Sequence, residues 1–163
     1  MESRAANRRR IALGFLLVSY LSVAGVRAEG LEQLAGVWDL NVARSRFTPG
    51  TEMKAQTRVY EVKGREVKQS IDSIDGQGRA VHNSSTAVYD GKDHPLDDNP
   101  DADTITAKET GPLTGVTTLK KDGKVVQTVT RTLSADGKTL TFHYQGSNAK
   151  GLKVDNLLVF EKR

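Results

Sequence analysis

No cysteine occurs anywhere in the 163 residues. That single absence removes disulfides, thiolate nucleophiles, cysteine metal ligands and a lipid-anchored cysteine. Aromatic residues are scarce at 6%, with one tryptophan. The sequence has no Gly-x-Ser-x-Gly elbow and no Gly-rich phosphate loop, so the common nucleophile and nucleotide motifs are missing. Its histidines, His82, His94 and His143, have no partner at the i, i+2 or i, i+4 spacing of a metal site. Long apolar runs are also lacking. The longest, Ile11 to Ala24, has 14 residues, short of the roughly 20 that a spanning helix needs.

That run belongs to a different kind of element. Arg4, Arg8, Arg9 and Arg10 precede it, and Val26-Arg27-Ala28 places small residues at the −3 and −1 positions of a cleavage site. Residues 1–28 therefore read as a secretory signal removed after Ala28, leaving a secreted or periplasmic protein with no stable membrane anchor. Whether export is Sec or twin-arginine stays open at Arg9-Arg10. The segment holds five arginines and one acid, so its removal takes Lys+Arg from 24 to 19 and Asp+Glu from 20 to 19. The formal net charge of +4 belongs to the signal, and the neutral remainder gives no support to a nucleic-acid partner. Residues 29–163 are enough for a single domain with its own core.

What is present is a rhythm of turns. Asp75-Gly76, Asp90-Gly91, Asp122-Gly123 and Asp136-Gly137 punctuate segments rich in Val, Ile, Thr and Tyr, the pattern of tight hairpins between strands. Strands are predicted near 36–43, 55–63, 66–74, 79–89, 103–109, 113–121, 124–134, 138–146 and 153–162. Leu31 to Leu34 could form one helical turn before them. Longer connections run from Ala43 to Met53 and from Gly91 to Ala102, the second acidic and holding two prolines. The fold class is thus all-β: an antiparallel up-and-down meander of about 8–10 strands that hides its edges by closing into a barrel. A two-sheet β-sandwich is the structural alternative.

Gly36-Val37-Trp38, followed by a long loop and a meander, resembles the lipocalin-like (calycin) barrels. LAGVWDLNVARSRF, YDGKD (89–93), NPDADT (99–104), LKKDGKVV (119–126), DGKTLT (136–141) and the final NLLVFEKR look more closely like a group of small exported bacterial lipocalin-like proteins. That resemblance implies a barrel, with Gly36 and Trp38 at its closed end and Arg163 as the positional candidate to pack on the tryptophan. It brings no activity. A Thr-Asp-Tyr-like second motif and a trailing helix are missing.

The remaining candidate signal is the set of polar residues that would face the lumen. One face of the segment 124–134 reads Val125, Gln127, Val129, Arg131, Leu133, and another strand carries Arg58, Tyr60 and Val62. Few polar groups within an apolar lining is how ligand pockets are built, and an inward arginine suits a ligand carboxylate. Arg58, Tyr60, Gln127, Arg131 and Tyr144 are accordingly the candidate ligand-binding residues. A structural ion pair, or an outward arginine whose stem covers apolar surface, satisfies the same pattern, and the cost of burying an unpaired charge favours it. Asp97, Asn99 and Asp101 mimic the start of a calcium loop, but Ala102 stands where glycine is needed and Lys108 where a bidentate glutamate belongs. Solvated Asx turns explain that loop better. The expected function is lumenal binding of a small hydrophobic or amphipathic molecule, with no cofactor, metal or catalysis. The rivals are a side-chain-filled barrel serving as a protein-interaction or envelope module and, more remotely, a hydrolase or isomerase on the same scaffold.

Overall fold

The computed structural model describes residues 29–163 apart from 98 and 149. The segment read as a secretory signal lies outside them. A short helix α1 (Glu29–Glu32) leads into ten strands: β1 (Gly36–Leu40), β2 (Met53–Lys63), β3 (Glu66–Asp75), β4 (Ala80–Val88), β5 (Asp93–Pro95), β6 (Thr104–Gly111), β7 (Thr114–Lys121), β8 (Lys124–Leu133), β9 (Thr139–Ser147) and β10 (Lys153–Lys162). All pair antiparallel in one sheet of order β4-β3-β2-β1-β10-β9-β8-β7-β6-β5. A single continuous sheet that carries β10 beside β1 is a rolled meander, and the two-sheet alternative is not what forms.

Two expectations shift. The first strand ends at Leu40 because Asn41 caps a 3-10 turn, Val42–Arg44, its side chain accepting from the Arg44 amide. In the connection expected to be irregular, Asp93–Pro95 forms the edge strand β5, where proline is tolerated because its missing N–H would have faced no ladder partner. Of the Asp-Gly pairs, Asp122-Gly123 is the two-residue hairpin that the pattern predicts, with φ of 49° and 73°.

The roll is almost closed. β4 and β6 approach without a ladder between them. The chain leaving β4 crosses the gap, and the Gly91 amide donates to the Ala107 carbonyl at 2.9 Å. Beyond that bridge the first half of β4, Ala80 to Ser84, is exposed. The barrel therefore has a seam fastened at one end and parted toward the other.

The fastened end is also the packed end. Leu31 and Leu34 from the α1 segment, Trp38, Leu133, Leu140, Leu158 and Phe160 are fully buried there. Trp38 Nε1 donates to the Leu34 carbonyl at 2.7 Å, so the helical turn is pinned as a plug. The basic group over the tryptophan ring is Lys162, its Nζ 5.1 Å from the ring centroid. Arg163, the positional candidate for that role, instead forks onto the Asp39 carboxylate at 2.8 and 2.9 Å. A residue at 163 starts outside the last strand, whereas Lys162 is registered opposite Trp38.

Candidate ligand cavity

Alternation sets which side chains reach the lumen. Inward on β2 are Gln56, Arg58 and Tyr60; on β8, Gln127, Val129 and Arg131; on β9, Phe142 and Tyr144. Together with Val67, Ile71, Ala87, Tyr89, Ile105 and Leu119 they enclose a cavity of about 500 Å³. Arg58, Tyr60, Gln127, Arg131 and Tyr144, singled out from alternation, all lie on its wall. Leu96, Asp97 and Asn99 from the β5–β6 connection and Asn83, Ser84 and Ser85 from β4 line the parted seam.

The two arginines differ. Arg58, only 4% exposed, is fully clothed. Nε donates to Gln56 Oε1 at 2.8 Å, Nη1 to the Tyr60 hydroxyl at 3.2 Å and Nη2 to the Tyr144 hydroxyl at 2.9 Å. Its guanidinium carbon lies 4.6 Å from the ring centroids of both Phe142 and Phe160. Burial works against its charge, but the phenol oxygens of Tyr144 and Tyr60 outweigh that and hold it above the ordinary arginine range. Burial pushes the Tyr60 hydroxyl up to about 12, so that phenol stays protonated. Because both phenols accept from Arg58, each keeps its own O–H to donate.

Arg131, 2% exposed, has no hydrogen-bond partner on Nε, Nη1 or Nη2. Its guanidinium carbon lies over the π face of Tyr89, 5.8 Å from the ring centroid. The guanidinium lies over Gly115, its register partner on β7. A Cβ there would stand 2.9 Å from Nη2 and 3.2 Å from Nε, so the missing side chain is the space the guanidinium fills. Neither arginine is in an ion pair. The seven pairs among the described residues involve other side chains. The structural ion pair and the outward arginine are thus both overturned: the inward face was the correct one, and the charge stayed unpaired.

Gln127 is placed by backbone irregularity. β7 pairs Leu119 with Gln127 and Lys120 with Val125, leaving Val126 as a bulge. Across the other edge Gln127 faces Gly146, φ 148°. A Cβ at 146 would collide with the Val126 carbonyl and sit 2.7 Å from Gln127 Cα. Val125, expected on the same inner face, is 59% exposed because it precedes the bulge.

Sequence reasoning missed Gln56, Tyr89 and Phe142. Gln56 and Phe142 were on alternating faces already in view and were findable by that signal. Tyr89 lies past the end of β4, and only the tertiary fold brings it to Arg131. In the acidic loop, Asn99 Oδ1 accepts from the Asp101 and Ala102 amides at 2.8 and 3.2 Å, an Asx turn. Among the described residues no three His, Cys, Asp or Glu side chains gather as metal ligands would. His82 and His143 are not brought together. Each histidine pairs with its own aspartate: His82 with Asp72, His94 with Asp90, His143 with Asp155, at 2.7–2.9 Å.

No protein-family model and no curated protein sequence matches the chain. Solved structures do. The Schistosoma mansoni fatty acid binding protein in complex with arachidonic acid is 10% identical, covers 82% of this chain and 98% of its own, with a TM-score of 0.54. A mutant of the fluorescent protein UnaG is 15% identical over 81% and 97%, at 0.52. Zebrafish ileal bile acid-binding protein complexed with cholic acid is 13% identical over 80% and 99%, at 0.47. The first two carry the conclusion, which concerns fold alone: the chain folds as a nearly closed, ten-stranded antiparallel β-barrel similar to those of these two proteins.

Proposed function

We propose that the protein holds a small amphipathic molecule in its lumen, with the anionic head of that molecule at Arg131. The observation that carries this reading is the buried guanidinium with three unsatisfied nitrogens on the wall of a 500 Å³ cavity. An uncompensated interior charge is costly, and a bidentate carboxylate is the partner its fork fits. No buried carboxylate offsets Arg58 and Arg131 among the described residues, so the interior is cationic and the missing charge comes from outside. The spare hydroxyl protons of Tyr60 and Tyr144 add neutral donors. The volume lies within the range of small-molecule sites, about 300–1,000 Å³, which speaks against a barrel filled by its own side chains. The parasite protein of similar fold was solved with arachidonic acid, an amphipathic acid. Export to the periplasm or medium, read from residues 1–28, is part of the proposal and places the binding outside the cytoplasm.

Titration of the purified protein with lauric acid and with methyl laurate, followed by calorimetry, tests it. The acid is expected to bind and the ester to bind weakly. Arg131→Met should cost the acid roughly ten- to a hundred-fold in affinity, the value of a charge-assisted hydrogen bond, and leave the ester unchanged. Equal affinity for acid and ester would remove the anionic head from the proposal.

A further inference from the structure

The cavity is not apolar at its far end, and this has a consequence for the ligand. Along the inner face of β8 the order is Arg131, Val129, Gln127: a charge, an apolar spacer, an amide. Four residues of strand separate the two polar groups, about 13 Å. The Gln127 side-chain amide makes no hydrogen bond among the described residues, yet a bulge at Val126 and the close approach permitted by Gly146 fix its strand. The Asn83 side chain, on the opposite lip of the seam, likewise has no hydrogen-bond partner among the described residues and faces the same cavity. Asn99 stands beside the opening.

A plain hydrocarbon tail running from Arg131 to the opening would cover the Gln127 amide and strip its water without replacing it, at a cost to affinity. A tail that ends in a hydroxyl or amide recovers that loss. We infer that the ligand is polar at both ends: an acid whose chain carries a second hydrogen-bonding group about 13 Å from the head, held by Gln127 and reached by Asn83 across the seam. This rests on the head-at-Arg131 reading and narrows its ligand class from simple fatty acids to end-functionalised ones.

The comparison uses ω-hydroxylauric acid against lauric acid on the full mature chain, by calorimetry. The hydroxy acid should bind tighter by roughly three- to ten-fold, the range of one neutral hydrogen bond. Gln127→Leu should abolish or reverse that preference, chiefly by tightening laurate, whose tail then dehydrates no amide, and Gln127→Met with unchanged circular dichroism guards against a folding defect. Asn83→Ala should reduce the preference in part. Laurate bound as tightly as the hydroxy acid, or tighter, overturns the inference and leaves the anionic-head reading standing. A preference that survives both Gln127 variants also overturns it, since the polar end is then held elsewhere. Failure of both acids to bind overturns the anionic-head reading itself, and the inference with it.

Discussion

Truncating the two lumenal arginines should move stability in opposite directions. In the ligand-free protein Arg131 leaves three nitrogens unsatisfied, each costing about 1–3 kcal/mol if fully dehydrated. Water in a polar cavity open to solvent returns much of that, and the Tyr89 ring at 5.8 Å adds about 0.5–1 kcal/mol. The residual penalty is about 2 kcal/mol. Arg131→Met, which keeps the apolar stem and removes the charge, should stabilise the apoprotein by that amount, raising Tm by roughly 5–10 °C for a domain of this size. Arg58→Met should do the reverse. It orphans Gln56 Oε1 and breaks the donations to Tyr60 and Tyr144, and it removes the guanidinium packed against the rings of Phe142 and Phe160. A loss of about 2–4 kcal/mol is expected. Urea denaturation of both variants, stripped of lipid by organic extraction and refolding, measures the pair. If Arg131→Met is destabilised like Arg58→Met, Arg131 has a structural partner and the reasoning that makes it the ligand's counter-charge is wrong.

Other outcomes are expected. Trp38→Ala should lose about 3–5 kcal/mol, because it empties the packed end and orphans the Leu34 carbonyl; an unchanged urea midpoint would take Trp38 out of the core. Gly146→Ala should lose about 2–4 kcal/mol through collision with β8, and thermal melting checks it. Asp75, Asp90, Asp93, Asp103, Asp136 and Glu161 are held below their ordinary values of 3.8 and 4.5, chiefly by hydrogen bonds from Arg79, His94, Lys120, the Asp122 amide, Ser134 and Asn41 respectively. Their contribution is present above the unfolded values and lost as pH falls through the folded ones. Stability should therefore be flat from neutrality to about pH 5 and decline below pH 4; a maximum near pH 3 in denaturant midpoints would contradict it.

The alternation of β2, β8 and β9 was enough to place Arg58, Tyr60, Gln127, Arg131 and Tyr144 on one inner wall, because a strand has only two faces. What it could not give was charge balance. Burying an arginine without a carboxylate runs against the general cost, so local chemistry favoured an ion pair, and only the assembled barrel leaves Arg131 bare. β5 escaped notice because Asp93-His94-Pro95 is three residues long and reads as loop until β6 lies beside it. The exchange of Arg163 for Lys162 at Trp38 turned on register, which the resemblance alone does not fix.

The half-fastened seam makes the girth of the lumen adjustable. The outer edge of β4 has no ladder partner, so its first half, paired along its length with β3, can shift only together with β3, and such a shift breaks no pairing across the seam. On the proposed binding mode, thicker or thinner chains would be embraced at small elastic cost, while the head group would meet the guanidinium seated over Gly115. Affinity across a ligand series should accordingly be forgiving of chain thickness and strict about the chemistry of the ends.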